Sequence, residues 1–225
     1  RDIMVAAKEG GGDEEMNPKL ALAVGKAKDA NMPKDNIERA IKRGTGELAG
    51  GEMFEIRYEA YGTDGVGFII ETLADNKNRA LAAVKAVLNR NNGTLANDGA
   101  VTWQFEQKGY IVLKETEEKS VDFDEVFLAA AEAGAEDVVD EDGQIVVYTP
   151  RDEYGAVDQA LTEEGYKTEE SELRWFAQNE IELPKKQAIK NLKLQELLED
   201  LDDVQSVSSN LALTDDLLTE YEAAS

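Results

Sequence analysis

The sequence contains no cysteine and no histidine among its 225 residues. The absence of cysteine excludes a disulfide framework, a thiol nucleophile and a thiolate-ligated zinc site. The absence of histidine removes the base of Ser-His and Cys-His catalysis and the commonest metal ligand. No apolar run approaches the roughly 18 residues that a membrane-spanning helix needs. We therefore expect a cytoplasmic, non-enzymatic protein with no catalytic residue, no metal, no cofactor, no small-molecule substrate and no membrane partner.

Basic residues are scarce: the chain has 24 Lys and Arg and 48 Asp and Glu, which gives a formal net charge of −24. The excess of acidic over basic residues is uneven along the chain. Residues 1–50 carry 9 basic and 9 acidic side chains, whereas residues 114–180 carry 5 and 21. Such asymmetry within one chain suggests different partners for different segments. A solvated face that only keeps the protein in solution is the plainer interpretation of residues 114–180.

The first 50 residues predict a bundle of three short helices, since apolar residues recur at helical spacing in each. The predicted helices cover residues 1–8, 18–30 and 33–43. Asn17-Pro18 is typical of a helix start, and we expect Gly44 to end the third helix in the C′ position.

From residue 53 the apolar period changes to two, which predicts strands. The predicted elements are strands at 54–60, 66–73 and 101–105, a helix at 77–91, and, beyond Pro184, a helix and a strand near 204–208. In the third strand Val101, Trp103 and Phe105 alternate with polar residues. The β-β-α-β segment lacks a second covering helix, so we expect the C-terminal residues to return to it.

Between these pieces lies a complete β-α-β-β-α-β cycle, which is the ferredoxin-like unit. Its predicted strands and helices lie at 110–114, 122–133, 136–140, 144–149, 151–164 and 168–176. We predict an α+β protein of three domains, an N-terminal three-helix bundle and two α+β domains, one of them ferredoxin-like and inserted in the other. The predicted domains are residues 1–50 (helical), 51–109 plus 179–225 (discontinuous α+β) and 110–178 (inserted, acidic).

Basic side chains on the second and third helices are the candidate nucleic-acid contacts. Arg39, Lys42 and Arg43 fall at i, i+3 and i+4 and so share a helix face. The other candidates in this region are Lys26, Lys28 and Lys34. The two helices resemble a helix-turn-helix in outline, in which the second helix makes the contacts. The competing explanation is that cations are favoured near a helix C-terminus by the helix dipole.

Two further segments have features that bear on nucleic-acid contact. Lys77 and Arg79 lie in the first turn of the helix after the second strand and are candidates to bind phosphates at a domain edge. The ferredoxin-like unit shares its topology with RNA-recognition domains, but its strand at 144–148 offers one aromatic residue, Tyr148. Its acidic surroundings would repel phosphates. We expect protein contact or a spacer role there, and we interpret Asp140 to Gly143 as a hairpin turn rather than a calcium loop.

Several segments resemble the YebC/PmpR family. The segments are NMPKDNIERAIKRGTGE at 31–47, YEAYG at 58–62, DNKNR at 75–79, NDG at 97–99, AAEAGAEDV at 130–138 and LEDLDDVQSV at 198–207. The resemblance covers nearly the whole chain. It implies the same three-domain layout, and it implies a bacterial DNA-binding transcriptional regulator with no established enzymatic activity or cofactor. Family members begin with a basic Gly-His-Ser-Lys-Trp segment that is not seen here, so we expect sequence upstream of Arg1.

Taken together, these features indicate a nucleic-acid-binding regulator of gene expression, of the DNA-binding transcriptional type. Two alternatives stay open. A ribosome-associated translation factor or translational activator would contact rRNA or tRNA through the same cations, because phosphate contacts do not separate DNA from RNA. An acidic adaptor would instead use the inserted domain to meet a protein partner.

Overall fold

A computed structural model describes residues 2–47 and 53–224. The chain divides into two compact units. The first holds the described residues up to 47 together with Gln107–Arg174, and the second holds residues 53–106 and 175–224. The predicted domain boundary at residue 50 lies outside the described residues, and the boundaries at 109 and 178 stay predictions.

The elements follow the predicted order of helices and strands. The helices are α1 (Asp2–Gly10), α2 (Pro18–Asp29), α3 (Lys34–Gly44), α4 (Lys77–Arg90), α5 (Phe123–Glu132), α6 (Tyr154–Glu163), α7 (Lys185–Glu199) and α8 (Asp215–Ala224). The strands are β1 (Phe54–Tyr61), β2 (Gly67–Ala74), β3 (Thr94–Ala96), β4 (Phe105–Lys114), β5 (Asp137–Glu141), β6 (Gln144–Pro150), β7 (Lys167–Ala177) and β8 (Val204–Ser209). The sequence did not predict β3 or α8.

The N-terminal helices pack around a small core of aliphatic residues that includes Ile3, Leu20 and Val24. Asn17 begins α2 by accepting a hydrogen bond from the Leu20 amide. Its buried side-chain amide also donates to the carbonyl oxygens of Ala6 and Gly11 at 2.7 and 2.8 Å. Asn17 therefore both caps α2 and fixes α2 to α1, because each bond satisfies a group that burial would otherwise leave unpaired.

Gly44 does not end α3 in the C′ position, so that prediction is wrong. Gly44 is the last helical residue, and Gly46 follows the cap with a φ of 79°, the left-handed value that a C′ glycine adopts. Gly44 is needed for close approach instead. A Cβ built there would lie 2.8 Å from the Cβ of Ala7 and closer still to the carbonyl oxygen of Met4. The absence of a side chain lets α3 cross α1 at short distance.

The second unit contains a four-stranded sheet in the order β3-β1-β2-β8. β8 pairs with β2, with Phe68 opposite Ser209, so the chain returns to this sheet after the insertion as predicted. Helices α4 and α7 supply Leu88, Leu194 and Leu198 to the core beneath it. This unit therefore has the second covering helix that residues 53–108 lack.

The predicted strand at 101–105 is wrong. Residues Thr102–Gln104 form a 3₁₀ turn, Trp103 is 70% exposed, and the third strand of the sheet is Thr94–Ala96. The reason is Glu59, a residue that is only 2% exposed and whose carboxylate accepts hydrogen bonds from backbone amides of the turn. The distances from the Glu59 carboxylate are 2.5 Å to Gly99 N, 2.9 Å to Val101 N and 2.7 Å to Thr102 N. Amides bound in this way cannot join a strand ladder.

The inserted segment forms a second four-stranded sheet in the order β5-β6-β4-β7. In the order of its own strands this is 2-3-1-4, the arrangement of a ferredoxin-like unit, as predicted. Helices α5 and α6 add Val126, Val157 and Leu161 to the core on one face of that sheet. Asp142 and Gly143 join β5 to β6 with φ values of 51° and 89°, which confirms the hairpin turn.

Candidate nucleic-acid interface

The turn between α2 and α3 is a Schellman motif built around Asn31. Asn31 has a φ of 57°, a left-handed value that asparagine tolerates better than most residues. The Met32 amide donates to the Ala27 carbonyl and the Asn31 amide donates to the Lys28 carbonyl, both at 2.9 Å. These two bonds satisfy the last carbonyls of α2 and hold its direction relative to α3.

The candidate face of α3 consists of Arg39, Lys42 and Arg43, all exposed. Ile37 is buried on the opposite side of the helix, so packing directs the three cations outward. Within the described part of the chain none of the three has a carboxylate within ion-pair distance. The Arg39 guanidinium is oriented along the helix by hydrogen bonds to the Asp35 carbonyl, at 3.3 Å, and to the Asn36 side-chain oxygen, at 3.1 Å.

The remaining basic candidates in this region are exposed and at most loosely paired. Lys28 Nζ lies 3.7 Å from Glu14 and Lys34 Nζ lies 3.8 Å from Glu38. Such solvent-exposed pairs contribute little and exchange readily for another anion. Lys26, one turn before the end of α2, is exposed as well. Phosphate could therefore reach all three ammonium groups at low cost.

Lys77 and Arg79 belong to the second unit and form a separate candidate at the start of α4. Lys77 Nζ lies 4.1 Å from the centre of the Phe54 ring. Arg79 is held by two carboxylates, Asp203 at 2.9 Å and Asp75 at 2.8 Å. The hydrogen bond to Asp203, followed by that to Asp75, raises the pKa of Arg79. A phosphate would have to displace these partners, which the sequence did not reveal because Asp203 lies 124 positions away.

The face of the inserted sheet that carries Tyr148 also carries a second aromatic residue, Tyr110, which the sequence pattern does not place beside it. Tyr110 meets Tyr148 edge to face with ring centres 5.6 Å apart. The Arg174 guanidinium lies 3.9 Å from the Tyr110 ring centre and also binds Glu170 and Glu172. The Tyr148 hydroxyl donates to Glu141 at 2.7 Å; burial first, and this bond second, raise its pKa. Arg174 occupies the ring face that a stacked base would need, and carboxylates surround the pair.

Residues 2–47 and 53–224 contain neither a membrane-spanning helix nor a metal-binding cluster of carboxylates. No helix in these ranges is both long enough and apolar enough to cross a bilayer. No group of three or more Asp or Glu side chains there is arranged to hold a metal ion.

Two known protein-family domains match this chain. The family described as TACO1/YebC second and third domain matches residues 53–211, and the one described as TACO1/YebC protein N-terminal domain matches residues 1–47. The chain belongs to the TACO1/YebC family. The family resemblance predicted from the sequence is thereby confirmed, and the candidate cations on α2 and α3 lie within the N-terminal TACO1/YebC domain.

Curated TACO1/YebC relatives are similar over nearly their whole length. A probable transcriptional regulatory protein of Fusobacterium nucleatum is 45% identical over 223 residues, covering 99% of this chain and 88% of the relative. A protein with the same description from Neisseria gonorrhoeae is 47% identical over 214 residues, covering 95% and 87%. The crystal structure of a conserved hypothetical protein from Aquifex aeolicus matches with a TM-score of 0.79 and 38% identity, covering 95% of this chain and 87% of that one. The three-domain α+β fold is therefore shared.

Proposed function

We propose that this chain is a non-enzymatic regulator of gene expression that binds DNA through the basic face of α2 and α3 in the bacterial cytoplasm. The observation that carries the proposal is the set of three exposed cations on α3, Arg39, Lys42 and Arg43, which point outward from one helix without a carboxylate partner among the described residues. The names of the curated relatives, probable transcriptional regulatory proteins, support the regulatory role. The lack of histidine and cysteine supports the absence of catalysis.

Phosphate contact is the chemistry that this face offers. Each Lys or Arg that neutralises a phosphate releases a condensed counterion, so the affinity falls steeply as salt rises. Lys28 and Lys34 add to the face by exchanging their weak pairs with Glu14 and Glu38 for phosphates. The acidic inserted domain, with 21 acidic residues between 114 and 180, would be held away from the polyanion by charge.

A ribosome-associated translation factor is the second candidate, favoured by the side chain of Asn36. Asn and Gln side chains are the usual readers of adenine in the major groove, through a pair of hydrogen bonds that needs the amide oxygen free. The Asn36 oxygen is instead bonded to Arg39, which is consistent with recognition through the backbone. A folded rRNA or tRNA presents phosphates as well as DNA does, so the same cations would serve.

The test of the interface is charge reversal with a matched control. The variant Arg39→Glu, Lys42→Glu, Arg43→Glu should bind duplex DNA and rRNA fragments much more weakly, with the remaining binding measurable at low salt. The control reverses three exposed lysines on one face of α7, Lys186→Glu, Lys190→Glu and Lys193→Glu, and changes the net charge equally. Fluorescence anisotropy across a salt series measures the affinity. We expect the control to keep the wild-type salt slope, and the α3 variant's slope to fall by about 2.7, since each lost phosphate contact removes about 0.9.

Equal losses in the two variants would show that net charge, not the α3 face, governs binding. A flat salt response of the wild-type chain would contradict phosphate contact altogether and favour the adaptor alternative. Crosslinking in cells followed by sequencing of the bound nucleic acid separates the two polyanions. Promoter DNA in the recovered reads supports the transcriptional role, whereas a predominance of rRNA or tRNA supports the translational one.

A further inference from the structure

Helix α5 of the inserted domain exposes a stripe of large apolar side chains. Phe123 is 39% exposed, Phe127 46% and Leu128 64%. The two phenylalanine rings stack on each other with centres 6.3 Å apart. The helix packs on its own sheet through Val126 and Ala130, which are fully buried. The stripe is therefore not needed to hold α5 in place.

The positions of these residues make them one continuous surface. Phe123 and Phe127 are four residues apart, and Ala131, also exposed, is four further on and three beyond Leu128. Residues at these spacings lie side by side on a helix. Scattered apolar residues on a surface need no explanation, but a contiguous patch rimmed by polar groups marks an interaction site.

The rim of the stripe is acidic. Asp124, Glu125 and Glu132 lie along α5, and Asp122 caps it, whereas the helix carries no basic residue. Lys119, before the helix, lies 4.0 Å from Glu125. Such a rim repels the phosphates of nucleic acid, and it repels a second copy of the same acidic domain.

We propose that the α5 stripe is a docking surface for a cationic amphipathic helix of a partner protein. The apolar face of that helix would cover Phe123, Phe127 and Leu128, and its lysines or arginines would meet the carboxylates of Asp124, Glu125 and Glu132. Helices with an apolar face commonly bind in this way, through anchors at spacings of three and four residues. Charge complementarity selects the partner and speeds its approach. This surface shares no residue with the basic face of α3.

The test uses the full chain and a fluorescein-labelled synthetic peptide of about 18 residues, or five helical turns, made of leucine and lysine with the leucines on one helical face. Wild-type protein should bind it. The variant Phe127→Ser, Leu128→Ser should bind at least about tenfold more weakly, a loss of about 1.4 kcal/mol. The matched control replaces two exposed apolar residues elsewhere, Met16→Ser and Leu213→Ser, and should leave the affinity unchanged.

A second peptide of the same composition, with leucines distributed all round the helix, should also bind at least about tenfold more weakly than the first. Amide resonances of α5 should shift on addition of the first peptide, and the conservative variant Phe127→Leu should keep binding. Equal affinity of the two serine variants, equal affinity of the two peptides, or shifts confined to residues outside α5 would each overturn the proposal. Unchanged circular dichroism of the serine variants shows that a loss of binding is not a loss of fold.

Discussion

The guanidinium of Arg79 and the carboxylate of Asp203 form three hydrogen bonds of 2.9 to 3.2 Å between the start of α4 and the turn before β8. One end of this pair lies before the inserted domain in the sequence and the other lies after it. The pair therefore joins the two halves of a discontinuous unit, and it also restrains a residue that is a candidate for phosphate contact.

Removing the Asp203 carboxylate, which binds Arg79, tests whether Arg79 contacts nucleic acid. We expect Asp203→Asn to raise the affinity for duplex DNA in an anisotropy titration, because the Arg79 guanidinium loses its bidentate partner and keeps only the exposed pair with Asp75, which a phosphate can displace. Asp202→Asn is the matched control, since Asp202 is exposed and carries the same charge one position away. An identical gain in both variants would mean that only net charge matters and that Arg79 is not a contact. Asp203→Asn alone should also lower the melting temperature.

Glu59→Gln should destabilise the second unit by about 1–3 kcal/mol, because one bound amide would then face a side-chain NH₂ instead of an oxygen. Burial works to raise the pKa of the Glu59 carboxyl, but hydrogen bonds from the amides of Thr102, Val101 and Gly99 outweigh it and lower the pKa. A lowered folded-state pKa means that the stabilisation is fully present above the unfolded value of about 4.3 and is lost as pH falls through the folded one.

Urea unfolding at pH 7 and at successively lower pH measures this effect. The difference between wild type and Glu59→Gln should shrink on the acid side, and amide exchange at Val101 and Thr102 should be faster in the variant. The exposed Glu180→Gln serves as the control and should change little. A difference that is independent of pH would contradict the assignment of an ionised, hydrogen-bonded Glu59.

Gly44→Ala and Gly25→Ala should have opposite effects on the helical bundle. An added Cβ at Gly44 meets Ala7 and the Met4 carbonyl, so we expect a loss of about 1–3 kcal/mol from the α1–α3 contact. Nothing lies within 4 Å of a Cβ at Gly25, inside α2, so alanine there should stabilise by roughly 0.5–1 kcal/mol. Thermal unfolding followed by circular dichroism distinguishes them, and a neutral Gly44→Ala would refute the close approach.

Deletion of residues 110–178 with a short linker should leave a folded second unit. The Gln178 amide donates to the Gln104 carbonyl at 2.9 Å, so the two ends of the insertion are neighbours. Deletion of 110–174 should give a more stable product, because it keeps Trp175, which packs near Ile69 and donates to Glu71 at 3.2 Å. Circular dichroism and urea titration compare the two variants. An unfolded product in both cases would contradict the discontinuous-domain prediction.

The sequence predicts those features that are encoded locally. The three N-terminal helices, the β-α-β-β-α-β cycle and the hairpin at Asp142 follow from apolar periodicity and turn residues, which are read over a few neighbouring positions. The basic face of α3 is local too, since i, i+3 and i+4 spacing fixes it. These are the parts of the fold and of the candidate site that needed no knowledge of distant contacts.

The structural predictions are wrong where a residue distant in sequence determines the local conformation. The alternation of Val101, Trp103 and Phe105 is that of a strand, but the carboxylate of Glu59, some 40 positions earlier, takes the backbone amides that a strand would use. The pairing of Arg79 with Asp203 is likewise invisible to local patterns, because the whole insertion separates the two residues, and the contact of Arg79 with nucleic acid stays a prediction. At Gly44 the glycine is required because α1 packs closely against α3. The apolar periodicity within α3 gives no indication of that contact.

The exposed turn that carries Trp103 also determines which parts of this protein intrinsic tryptophan fluorescence can monitor. The chain has two tryptophans, and both belong to the second unit: Trp103 is open to water, and Trp175 is half-buried with the Arg57 guanidinium 5.2 Å from its ring centre. Neither tryptophan lies in the helical bundle, whereas Trp175 lies near the end of β7 and so also responds to the sheet of the inserted domain. A soluble quencher should extinguish the Trp103 component first, and we assign an unfolding step that circular dichroism detects without a change in emission to the helical bundle.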